Sequence, residues 1–138
     1  PMAVPVIKQL LGNLPPGVNL LDCPPGTSCN VLTALQYADG AILVTEPSSL
    51  GLHDLKMAVE LVRYFGLPFG VIINKYNEGG SRIQRYCEGE NIRILGIVPC
   101  QREAAELYSS GKMIIELPEY REVFEGIAEG LREVFPWN

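Results

Sequence analysis

The sequence lacks several things that would mark particular classes of protein. Its longest apolar runs are about five or six residues, far short of the roughly twenty that cross a bilayer. Charged residues make up only 20% and hydrophobic ones 47%, which excludes a disordered chain. It has no basic excess: eleven Lys and Arg stand against sixteen Asp and Glu, for a net charge of −5. The imbalance is concentrated after residue 101, where eight acids face four bases. Direct binding to a phosphate backbone is therefore not expected. None of its four cysteines, at 23, 29, 87 and 100, forms a CxxC pair. A disulfide framework is not expected, and a reducing, cytoplasmic setting is. The 138 residues suffice for one core, so residues 1–138 are expected to form a single domain. The chain begins at Pro1 rather than methionine and is expected to be part of something longer.

Short apolar runs alternate with helical patterns. The runs lie at 18–22, 40–45, 69–74 and 92–98, are rich in Val and Ile, and barely alternate in polarity. Such runs predict strands covered on both faces, hence a parallel sheet of about four strands. Helices are predicted over 31–37, 50–65, 81–88 and 102–109. The second carries Leu52, Leu55, Val59 and Val62 on one stripe, with Gly66 and Pro68 at its end. A last helix opens at Pro118 and places Tyr120, Val123, Phe124, Ile127, Ala128, Leu131, Val134 and Phe135 at helical spacing. Gly126 and Gly130 inside it cost roughly 1 kcal/mol each relative to Ala and either permit close packing or do nothing. The whole is an α/β fold with flanking helices, and in such sheets ligands bind beyond the carboxyl ends of the strands.

The residues that follow each run are thus the ones to read for chemistry. The first run closes on Asp22, followed by Cys23, Pro24, Pro25, Gly26 and Thr27. A carboxylate ending an apolar strand suits a magnesium ion held through water, and a Pro-Pro-Gly exit suits a loop that brings backbone N–H groups to a phosphate. A strand cap followed by an ordinary turn fits the same residues equally well. The third run ends in Asn74, Lys75, Tyr76 and Asn77. An Asn-Lys pair here is suited to reading a purine edge, although Asn74 could simply begin a turn. Guanine offers two adjacent donors and calls for a carboxylate two residues after the lysine. Asn77 stands there instead, which favours adenine. The fourth run ends in Pro99, Cys100 and Gln101, a loop placed to flank a base or only to turn. Ser48 or Ser49 is expected to cap the long helix, and Glu46 to be a solvated loop acid. His53 and Asp54 are adjacent on a helix and face different ways, so they make a poor catalytic pair. The cysteines are expected to be small buried residues rather than metal ligands. A phosphate-cradling GxxxxGK[ST] stretch is absent, since Gly111-Lys112 is followed by Met113 and Gly111 suits a helix end.

Taken together, DCPPGTSC at 22–29, VTEP at 44–47, GLHDL at 51–55, VIINK at 71–75 and Val98-Pro99 resemble the C-terminal half of MinD/ParA-type P-loop ATPases. The resemblance covers nearly the whole chain. It is closest to the MinD-superfamily branch that carries an inserted ferredoxin-like domain. It implies a SIMIBI-type fold lacking the Walker A unit, with ATP and magnesium bound by the intact protein and an iron–sulfur cluster in the missing insert. By the same resemblance Asp22 orients the magnesium water and is the catalytic position. Pro24 to Thr27 form the switch loop, and Asn74, Lys75, Pro99 and Gln101 lie on the adenine side. The family commonly has an acid where Gln101 stands. The phosphate loop lies upstream in the family, so no cofactor is expected on this chain alone, and hydrolysis by it should be poor. The expected partner is the missing Walker A portion or a second copy, giving a homo-oligomer. A non-enzymatic dimerisation or protein-interaction module is the alternative, and a flavodoxin-like or receiver-like domain a third. In the family the Walker A strand lies between the strands matching 18–22 and 40–45. Those two are therefore expected to close on each other or to be bridged by another chain, and coordinates with neither would count against the resemblance.

Overall fold

The computed structural model describes residues 3–78 and 81–135. Helix α1 (Ala3–Leu11) and helix α2 (Cys29–Leu35) precede strand β1 (Ala41–Thr45). Helix α3 (Ser49–Tyr64), strand β2 (Phe69–Tyr76), helix α4 (Ser81–Gly89) and strand β3 (Ile94–Pro99) follow. Helix α5 (Arg102–Ser109), a short 3₁₀ turn (Ile114–Glu116) and helix α6 (Pro118–Val134) complete the order.

The three strands form one parallel sheet in the order β1-β2-β3. Each crossover contains a helix, as a parallel pair requires. The two faces carry separate apolar clusters. On one, Leu55 and Val59 of α3 meet Val71 and Ile73 of β2 and Ile83 and Cys87 of α4. On the other, Leu95 and Val98 of β3 meet Ala104 of α5 and Tyr120 and Ile127 of α6. Cover on both faces is why the strand runs alternate so little. Helix α6 approaches β3 closely because residue 96 is glycine: a Cβ there would collide with the Ile127 side chain.

The helix ends follow local chemistry. The Ser48 hydroxyl accepts the Gly51 N–H at 2.9 Å and caps α3. Gly66 and Gly111, with φ of 65° and 80°, close α3 and α5 in left-handed conformations. The next N–H groups, of Leu67 and Lys112, reach back to the Val62 and Leu107 carbonyls. The two glycines of α6 differ: Gly130 is buried against Leu95, while Gly126 has open space around it.

The run at 18–22 departs from expectation. It is irregular and pairs with no strand among the described residues, so the sheet has three strands and β1 forms an edge. It does not close on β1 either. Instead Leu20 and Leu21, with Asp22, Cys23 and Pro24, line a groove against α1 and α2. An apolar run becomes a strand only where a neighbour supplies the ladder, and composition cannot provide one. Val18 and Leu20 are accordingly 72% and 85% exposed.

Candidate functional site

Because the strands are parallel, their carboxyl ends share one rim, carrying Thr45, Tyr76 and Pro99. At that rim β2 bulges. Ile73 pairs with Ile97, yet the next partner pair is Tyr76 with Pro99, so β2 uses one residue more than β3. The surplus falls at Asn74 and Lys75. Lys75 takes the left-handed conformation, φ 52°, uncommon for a residue with a side chain. Bulges of this kind re-aim side chains near ligand sites. The Asn74 Oδ1 accepts the Lys75 N–H at 3.0 Å, which fixes the amide against its own backbone.

Across the rim, the Lys75 ammonium meets the Glu46 carboxylate at 2.7 Å. The hydrogen bond and charge of Glu46 raise the Lys75 pKa above its ordinary value. The Glu46 backbone is itself tightly held. Its carbonyl accepts the Ser48 N–H at 2.8 Å, and Gly51 packs so close to that carbonyl that any Cβ would collide with it. The buried Thr45 hydroxyl donates to the Gly51 carbonyl at 3.0 Å. Glu46 is thus a solvent-exposed loop acid, as expected, which also pairs with Lys75 from a well-held backbone. Its ion pair with a residue 29 positions later depends on β1 and β2 being neighbours, which periodicity does not reveal.

On the β3 side the loop after Pro99 is tied down from two elements. The Cys100 N–H donates to the Tyr76 carbonyl at 3.0 Å. The Tyr120 hydroxyl donates to the Pro99 carbonyl at 2.7 Å. The Gln101 Nε2 donates to Glu119 at 2.8 Å. Sequence periodicity places Tyr120 in the core stripe of α6, where it lies, but not as a partner of this loop. The signal was available in its type, since a buried tyrosine needs a partner for its hydroxyl.

The structure thus gathers Asn74, Lys75, Pro99 and Gln101 at one rim and adds Glu46 and Tyr120. Asp22, Pro24, Pro25, Gly26 and Thr27 are exposed and lie in the irregular segment between α1 and α2, with Asp22 and Pro24 lining the groove against those helices. No described hydrogen bond or ion pair joins them to the rim. Gly26 has φ 93° and open space around it, the backbone freedom expected of that loop. Cys23, Cys29 and Cys100 are exposed and only Cys87 is buried, which corrects the expectation of buried cysteines. Such thiols sit in loops and at a helix start, where apolar composition does not draw them inward. Although Cys23 is exposed, partial desolvation by its surroundings, then the charge of Asp22, raises its pKa above the ordinary value. Among the described residues no group of three His, Cys, Asp or Glu could hold a metal. His53 lies exposed on α3, apart from this constellation. No helix is long and apolar enough to cross a membrane among the described residues.

The family model ParA, described as NUBPL iron-transfer P-loop NTPase, matches residues 1–132. An uncharacterized protein of Methanocaldococcus jannaschii is 31% identical over 80% of this chain and 38% of its own length. An iron-sulfur cluster carrier protein of Pyrococcus horikoshii is 28% identical over 97% of this chain and 54% of its own. A cytosolic Fe-S cluster assembly factor of Saccharomyces cerevisiae is 29% identical over 96% and 55%. The chain therefore spans about half, or less, of the relatives it matches. The crystal structure of the Pyrococcus furiosus cell division ATPase MinD superposes with a TM-score of 0.67 at 22% identity, over 81% of this chain and 50% of that one. The strand pairing expected between 18–22 and 40–45 is not found, but the family match does not depend on it. This chain belongs to the ParA family of NUBPL-type P-loop NTPases.

Proposed function

We propose that this chain carries the base-side half of an adenine-nucleotide site. The reading rests chiefly on the bulge at Asn74 and Lys75, which presents a fixed amide at the carboxyl rim opposite the Pro99–Gln101 loop. The Asn74 Oδ1, which accepts the Lys75 N–H with one lone pair, keeps a second beside the Nδ2 donors, a donor-acceptor pairing that adenine complements. Asn77 stands where a guanine site would need an acid. Lys75, held by Glu46, lines the same edge. Pro99 and Gln101 flank the base through backbone and ring, because the Gln101 amide donor is engaged by Glu119.

In the same reading Asp22 is the catalytic position and Pro24, Pro25, Gly26 and Thr27 form the switch loop. Magnesium, when bound with nucleotide, neutralises phosphate charge. Among the described residues Asp22 belongs to no group of three or more His, Cys, Asp or Glu, so it suits contact through water rather than a protein cage. The residues do not fit an iron–sulfur cluster, since no cysteine cluster exists among those described. No GxxxxGK[ST] stretch cradles the phosphates, so this chain alone binds weakly and turns over little or no ATP. Residues 1–138 act as one C-terminal portion of a cytoplasmic ATPase, completed by a Walker A portion or by a second copy in a homo-oligomer.

A second reading is a non-enzymatic interaction module. It draws on the free edge of β1 and on exposed Val44, 63% accessible, and Leu20. Calorimetry with magnesium-ATP separates the two. Weak heat of binding at millimolar ATP supports the half-site. Micromolar affinity would mean a complete site, and no heat at all would favour the module.

A further inference from the structure

The hydroxyl of Tyr120 has a use that core packing does not explain. Its ring belongs to the cluster of Leu95, Val98, Ala104 and Ile127, and the residue is only 2% exposed. Phenylalanine would fill that space. The hydroxyl instead reaches out of the core to the Pro99 carbonyl, at the end of β3. Pro99 has no N–H, and its carbonyl lies at the end of the β2–β3 ladder. The neighbouring Glu119 takes the Gln101 side chain, so Gln101 does not cap α5 although it stands at the cap position. The first turn of α6 therefore grips both ends of a three-residue loop, while Tyr76 holds the middle through the Cys100 N–H.

We propose that Tyr120 is a positioning residue: its hydroxyl fixes the Pro99–Gln101 loop in the base-receiving conformation before nucleotide arrives. The proposal rests on the adenine-site reading above. Prepaid order of this kind raises affinity without any new contact to ligand. It also means that the conformation of the base wall is set from a helix about twenty residues downstream in the chain.

The test uses the 138-residue chain and two variants. Tyr120→Phe keeps the ring and removes the hydroxyl. Ile127→Val trims the same core cluster without touching the loop. ATP and GTP are titrated into each while backbone amides are followed by NMR, and amide exchange is measured without ligand. For Tyr120→Phe, exchange at Cys100 and Gln101 should accelerate about tenfold, with β2 amides unchanged. Its ATP affinity should fall about three- to tenfold, the factor one hydrogen bond carries, and its preference for ATP over GTP should shrink. Ile127→Val should keep the starting affinity and preference. Wild-type affinity in Tyr120→Phe, or an equal loss in Ile127→Val, would overturn the positioning role and leave the site reading intact. Failure of the unaltered chain to respond to several millimolar ATP, roughly the weak limit for such contacts, would overturn both.

Discussion

At the scale of single residues, the rim is held by contacts that add little to stability. The Glu46–Lys75 pair is a case in point. Both side chains are more than half exposed, and water and salt screen such a pair so that it adds little to stability. Glu46→Gln should therefore leave the thermal midpoint essentially that of the parent. The same change should lower the Lys75 pKa, because the partner that raises it is gone. Titration of the lysine side-chain resonances checks this; an unmoved pKa would mean the pair does not persist in solution. Asn74, Lys75, Pro99 and Gln101 could be proposed from sequence because each follows an apolar run, and parallel strands end at one rim. Glu46 and Tyr120 could not be assigned these roles, because their partners lie across the sheet or on another helix. Asp22 to Thr27 were legible as a motif, but their position was not.

At the scale of elements, the three glycines at Gly96, Gly126 and Gly130 should each answer an added methyl differently. Gly96→Ala should cost about 1–3 kcal/mol, since its Cβ would strike Ile127 on a packed helix. Gly126→Ala meets nothing within 4 Å and should stabilise α6 by about 0.5–1 kcal/mol. Gly130→Ala places its Cβ 3.3 Å from Leu95 Cδ2, so any helix gain should be largely offset by crowding. Denaturant melts of the three variants check the order. The five helices from α2 to α6 and three of the strand runs were readable because each signal is local, such as a cap at Ser48, a glycine at 66 or 111, and a proline at 118, whereas α1 was not read from the sequence. The run at 18–22 has the same composition, yet it is no strand here. Pairing is a property of two segments, and only one was in view.

For the whole molecule, the shifted titrations run in one direction. Burial raises Cys87, Tyr86 and Tyr120 above their ordinary values of 9.0, 10.0 and 10.0. A raised pKa in the folded state means stability that is complete below the ordinary value and lost as pH climbs through the folded one. Thermal midpoints should hold steady below the thiol value of 9.0 and fall above it, more steeply once the phenols join in. Cys87→Ala should soften the first part of that fall. A midpoint rising above pH 9.0 would contradict the burial of these groups.

The central claim is that adenine is received between the Asn74–Lys75 bulge and the Pro99–Gln101 loop. Chemical-shift mapping of the 138-residue chain with magnesium-ATP, and separately with magnesium-GTP, tests it most directly. The account predicts saturable ATP shifts centred on residues 74–75 and 99–101, and weaker ones with GTP. Shifts centred elsewhere, or equal responses to the two nucleotides, would contradict it.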